Sequence, residues 1–112
     1  MIIDPKYGKF SLIFNQNEKE AIINAINYIM VDLINESQTR TGYNAAEYMD
    51  LLEILDDTNQ SIVLFEKTHL FMIHQALNEV INGISIPNFI AEIGIPEREL
   101  EISREQLSNL LR

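Results

Sequence analysis

Cysteine is absent from the 112 residues, which removes disulfides, thiol nucleophiles and thiolate metal sites together. Glycine occurs four times, each time singly, so no loop can build a phosphate cradle. The chain has no P-loop, no dinucleotide fingerprint and no G-x-S-x-G turn. Basic residues are scarce, with 8 lysines and arginines against 17 aspartates and glutamates and a net charge of −9. Nucleic-acid backbone and anionic membrane are both bound by cations that displace counterions, so this balance opposes both. No apolar run approaches the length that spans a bilayer. Met1 to Phe10 carries Asp4, Lys6 and Lys9 and lacks an apolar core of the secretory type. The expectation is a cytoplasmic protein, and a cysteine-free chain suits the bacterial or phage cytosol. The N-x-S sequons at Asn35 and Asn59 then carry no meaning, because glycosylation requires secretion.

What the chain does have is internal similarity. Phe14, Ile22, Ala25 and Asn27 match Phe65, Ile73, Ala76 and Asn78 at a spacing of 51, and Gly42, Glu47, Glu53 and Leu55 match Gly94, Glu99, Glu105 and Leu107 at 52. Apolar positions between them agree in kind, as in Leu12 with Val63 and Ile29 with Val80. The shared feature is packing, not chemistry, since a reactive site shows as polar groups in special places. With 46% hydrophobic residues the chain can bury one sizeable core, whereas half of it would be marginal alone. One domain over 1–112 is expected, with unit one at about 9–57 and unit two at about 61–112.

Local patterns divide each unit. Lys9 to Phe14 reads as a strand. Asn17 with Glu20 has capping-box spacing and opens a helix to about Asn35, whose apolar stripe is Ile22, Ala25, Ile26, Ile29, Met30 and Leu33. After a polar connection ending at Gly42, Asn44 and Glu47 repeat that spacing ahead of a helix from Ala45 to about Asp56, apolar along Tyr48, Leu51, Leu52 and Leu55. Ser61 to Glu66 reads as the second strand, and Thr68 as the cap of a helix to Asn82, with Gly83 in the C′ position. Pro96 suits the first turn of a last helix towards Leu111, with Ser103 as a point where it could break.

The fold class read from this order is α+β, mostly helical: two pseudo-symmetric β-α-α repeats packed around one core with a small two-stranded sheet. The outer strand edges would be open to a second copy or a partner strand.

Charge is the feature that points beyond the fold. From Gly42 to Glu66 there is no lysine or arginine, while Glu47, Asp50, Glu53, Asp56, Asp57 and Glu66 all fall there. Glu47, Asp50, Glu53 and Asp57 share one helix face, beside Met49, an apolar residue out of pattern. A focused negative face attracts basic partners and speeds their encounter. The blander reading is a solvated helix face. The last helix is also acidic, but Arg98 and Arg104 weaken its field by local pairing.

Catalysis finds little support. His69 and His74, five apart, point about 140° from one another on a helix, unlike the i, i+4 zinc pair. The acidic row faces water by its own pattern, so the buried environment that tunes a catalytic acid is missing. No segment has the ligand spacing of a calcium loop. No cofactor and no metal are expected, and no catalytic residue is assigned. Phe71 and Met72 flank the inner stripe of their helix as candidate interface anchors, and the matched Asn27 and Asn78 read as structural.

The expected function is therefore that of a small acidic protein-binding module, an inhibitor or an immunity or antitoxin-type protein neutralising a basic, nuclease-like partner. Its partner-binding residues are Glu47, Met49, Asp50, Glu53, Asp56 and Asp57. The alternatives are a structural or regulatory homodimer through Phe71 and Met72, and a small-ligand binder with a pocket between the two halves.

Overall fold

In the computed structural model, which describes residues 2–6, 9–13, 15–32, 41–56, 62–83 and 86–111, the chain opens with a β-hairpin. Strand β1 (Ile2–Lys6) pairs antiparallel with β2 (Lys9–Ile13), and β2 pairs antiparallel with β3 (Ile62–Phe65), placing Phe10 opposite Phe65 and Leu12 opposite Val63. The result is a three-stranded sheet in the order β1-β2-β3. Helix α1 (Gln16–Asp32) follows β2, and α2 (Ala45–Asp56) precedes β3. After β3 come α3 (Lys67–Asn78), which runs on into one π-helical turn (Glu79–Gly83), a short α4 (Phe89–Ile93) and α5 (Glu97–Leu111). Helix dominates the described residues.

Two pseudo-symmetric β-α-α units around a two-stranded sheet are not what the chain forms. The sheet has a third strand on one side only, which leaves no twofold axis between β2 and β3. Beyond β3 the described residues form three α-helices rather than two. The additional helix lies ahead of Pro96, where no element was expected from the sequence: Asn88 turns the chain with a left-handed φ of 53°, and Gly94 ends the turn at φ 108° with its N–H on the Ile90 carbonyl at 2.8 Å. A positive φ of that size favours glycine, and Gly42 (φ 85°) uses the same freedom just before α2.

Several local starts also move. Helix α1 is capped by Asn15 and Glu18, not by Asn17 and Glu20. The Glu18 N–H donates to Asn15 Oδ1 at 2.8 Å and the Asn15 N–H to Glu18 Oε1 at 3.1 Å, while Glu20 instead accepts from the Gln16 amide. Helix α3 starts at Lys67 behind Glu66, whose N–H donates to His69 Nδ1 at 3.2 Å, so His69 is a capping residue and Thr68 is not. Gly83 closes a π-helical turn, and its φ is not positive. An added Cβ there would fall on the end of the flexible Glu79 side chain, whose carboxylate would have to move aside. The last helix continues through Ser103, which is buried.

One hydrophobic cluster joins every layer. Leu12 and Phe65 from the sheet meet Ile22, Ala25, Ile26 and Ile29 of α1, Tyr48, Leu51 and Leu55 of α2, Leu70, Ile73 and Leu77 of α3, and Leu100 and Leu107 of α5. Helix α1 packs against α2, α3 and α4, and α3 against α5. Fully burying such aliphatic and aromatic side chains stabilises by roughly 1.5–3 kcal/mol each before chain entropy is set against it. Asn24 of α1 fastens α4 to this core by donating from Nδ2 to the Ile93 carbonyl at 2.8 Å. Asn78 accepts a bond from the Asn82 amide one turn on, and Asn27 is exposed, so the asparagine that ties two elements together is Asn24, outside that matched pair.

Candidate functional site: the outer face of the second helix

Helix α2 is held in one rotation about its axis. Asn44 and Glu47 exchange both capping-box bonds, Glu47 N–H to Asn44 Oδ1 at 2.9 Å and Asn44 N–H to Glu47 Oε1 at 3.1 Å. Tyr48, Leu51 and Leu55 are wholly buried, and the Tyr48 hydroxyl donates to the Met72 carbonyl of α3 at 3.1 Å. Tyr43 meets the Tyr48 ring edge-on at 6.2 Å between centroids. Burial pushes the Tyr48 phenol up to about 12, so it stays a donor at neutral pH.

That anchoring turns the other side of α2 to solvent. Glu47, Met49, Asp50, Glu53 and Asp56 are all exposed, Met49 by 56%. Asp50, Glu53 and Asp56 follow one another at i, i+3 and i+6 and, with Ile54, line a shallow open depression of about 730 Å³. Met49 precedes Glu53 by four residues and Asp56 by seven, which sets it within about 40° of both on the helical wheel. Asp57 lies outside the described residues.

No described cation approaches this row, and Asp50, Glu53 and Asp56 make no hydrogen bond or ion pair among the described residues. Like charges at i, i+3 repel by a few tenths of a kcal/mol per pair, and Asp56 sits at the helix C-terminus, where the dipole disfavours a carboxylate. Helix α5 differs. There Arg104 pairs with Glu101, at 3.0 Å from its Nε, and with Glu105 at 2.7 Å, which neutralises much of that face. The Glu101 contact is the first cause that lifts the Arg104 pKa above its usual value.

The remaining candidate groups fall elsewhere. Met72 is buried in the core, so it is unavailable as an interface anchor, and Phe71 is half-buried under Lys67, whose Nζ stands 6.0 Å from the ring centroid. His74 is half-buried where α3 faces α5. Its Nε2 is enclosed without a hydrogen-bond partner, and desolvation, with Arg104 second, pushes its pKa down while Glu105 opposes. Lys19 and Glu79 are buried charged residues that sequence periodicity missed, and neither lacks a partner. Among the described residues no cluster of three or more histidines and carboxylates could hold a metal ion, and no helix is long and apolar enough to cross a membrane. No family model, curated protein or solved structure matches this chain.

Proposed function

We propose that this protein is a small acidic binding module that neutralises a basic protein partner, as an inhibitor or an immunity or antitoxin-type protein acting without catalysis in the bacterial cytoplasm. The observation that carries the reading is the unneutralised row Asp50, Glu53 and Asp56 on the outside of a rigidly held helix, with the 56%-exposed Met49 on the same stripe. Buried lysines and arginines of a partner would relieve the repulsion along the row, and Met49 would supply the apolar contact that charges alone lack. Basic nuclease-like toxins present such cations around the cleft that binds nucleic acid, so a carboxylate face competes directly with their substrate. The net charge of −9 favours fast capture of a cationic protein and disfavours nucleic acid or anionic membrane as the ligand.

The test is affinity capture from lysate of the source organism at low and high salt, followed by reconstitution with the purified partner. A basic partner whose binding weakens with salt and is lost in the Asp50→Lys, Glu53→Lys double variant supports the proposal. A partner held equally well by that variant, or no partner beside a self-associating protein, removes it.

A further inference from the structure

The chain carries four methionines, and the fold treats the described ones unequally. Met72 is 3% exposed, inside the core, and Met30 is half-buried against it. Met49, on the outer side of α2, is 56% exposed. Tyr48, Leu51 and Leu55 beneath the helix and the Asn44–Glu47 box at its start fix its rotation, so the exposure of Met49 is a built feature rather than a frayed end. Thioether oxidation follows access: an exposed sulfur reacts directly with a hydroperoxide, whereas an enclosed one waits for the fold to open. The chain has no cysteine, so no thiol within the molecule competes for the oxidant.

The surroundings of Met49 decide what its oxidation would do. Its neighbours one helical turn away are Ala45, Ala46, Leu52 and Glu53. None of these side chains donates a hydrogen bond at neutral pH. A sulfoxide oxygen at this position is therefore solvated by water, and a partner covering it has to strip that water or supply a donor in its place. The lysines and arginines of a basic partner that could do so are drawn instead to the carboxylates of Asp50, Glu53 and Asp56 on the same helix. Oxidation thus turns the apolar contact of this face into a polar, chiral group that loses its water on docking.

We propose that Met49 is a site of reversible oxidation whose sulfoxide weakens the docking of a basic partner on α2. The oxidant is a hydroperoxide. A sulfur lone pair attacks one peroxide oxygen, and the S–O bond forms as the O–O bond breaks. Sulfur gives up two electrons, the peroxide is reduced, and with hydrogen peroxide the displaced oxygen takes the proton of the transferred one and leaves as water. A thiol-dependent sulfoxide reductase reverses the step, returning the thioether and water as two thiols become a disulfide. The effect on docking rests on the reading of α2 as a docking face, whereas the selectivity for Met49 does not.

The full chain is treated with dilute hydrogen peroxide, and sulfoxide at each methionine is followed by peptide mass spectrometry. Met49 is expected to oxidise several times faster than Met30 and Met72, with the thermal midpoint of the product unchanged. A fluorescently labelled 14-residue amphipathic peptide of lysine and leucine then serves as the basic probe, beside a leucine-free lysine peptide. Oxidation should weaken binding of the lysine–leucine peptide several-fold and change that of the lysine peptide, held by charge alone, less than twofold. A sulfoxide reductase should restore the first affinity, and Met49→Leu, whatever its starting affinity, should not respond to the oxidant. Oxidation of Met49 no faster than that of Met30 or Met72, or an oxidised chain that holds the lysine–leucine peptide as tightly as the untreated one, overturns the proposal. If the Asp50→Lys, Glu53→Lys variant binds that peptide undiminished, the docking face on α2 fails and takes the switch with it, although Met49 still oxidises first, which tells the two failures apart.

Discussion

The hydroxyl of Tyr48 on α2 donates a hydrogen bond to the main-chain carbonyl of Met72 on α3 at 3.1 Å, with both side chains inside the core. This bond connects the helix that carries the acidic row to the centre of the helical layer. It fixes which residues of α2 face outward. Removing the oxygen by Tyr48→Phe leaves ring packing intact and strands a buried carbonyl lone pair, for a cost of about 1–2 kcal/mol in urea unfolding. Alkaline titration checks the same contact. The folded phenol is raised from 10.0 to about 12 by burial, so its contribution is complete below pH 10 and is lost as pH rises through 12. The wild-type chain should therefore lose stability over that window more steeply than Tyr48→Phe.

His74 predicts the opposite pH sensitivity. Burial and Arg104 hold its folded pKa below the ordinary 6.5, with Glu105 opposing. The unfolded chain takes up that proton first as pH falls below about 6.5, so the folded state loses stability on the acid side of that value. Partial protonation of the chain's many carboxylates relieves self-repulsion at the same time and works in the other direction. The comparison that isolates the histidine is the change in urea midpoint between pH 7.5 and 5.5. His74→Gln should show a smaller loss, or a larger gain, than the wild-type chain; equal changes in both would show that the enclosed Nε2 has no energetic weight.

Gly83 offers a sign test. A methyl group there would fall on the Glu79 carboxylate, a buried group at the end of a flexible side chain, so Gly83→Ala should destabilise by up to about 1 kcal/mol, the low end of overpacking. In a Glu79→Ala background the space is free. The same substitution should then stabilise by about 0.5–1 kcal/mol, because it lowers the entropy of the unfolded chain without strain. A double-mutant cycle by chemical denaturation reads the coupling directly.

These contacts also mark where the sequence was legible and where it was not. Asn44 and Glu47 form the box their spacing predicts because both bonds are local. Asn15-x-x-Glu18 and Asn17-x-x-Glu20 satisfy the same rule, and the choice between them depends on where β2 ends, which is a tertiary matter. The internal repeat misled for a related reason. Its matched residues include Ile22 with Ile73, Ala25 with Ala76 and Leu55 with Leu107, all wholly buried, and any two amphipathic helices facing one core share that periodicity. It says nothing of β1, whose Pro5 masks a strand pattern, or of α4, which exists because of backbone turns at Asn88 and Gly94. The outward face of α2 was readable because Tyr48, Leu51 and Leu55 had to point inward. The groove lined by Phe89, Ile90 and Pro96 was not, since it forms where the chain turns at Asn88 and Gly94.

The two roles of α2, structural on one side and electrostatic on the other, should separate by mutation. Asp50→Lys with Glu53→Lys reverses charges that are exposed and have no partner among the described residues, and replaces like-charge neighbours by unlike ones next to Asp56. Surface changes of this kind move stability by no more than about 0.5 kcal/mol, and here the direction is upward. Leu51→Ala, one position away, removes a wholly buried side chain and should cost about 2–5 kcal/mol. If α2 is the docking face, the charge-reversed protein keeps or improves its thermal midpoint and loses its basic partner, whereas Leu51→Ala keeps partner binding in proportion to its folded fraction. Isothermal titration with the captured partner, run beside thermal unfolding of both variants, distinguishes a docking surface from a helix whose acids serve only solubility, because in the second case neither variant changes the affinity of the folded protein.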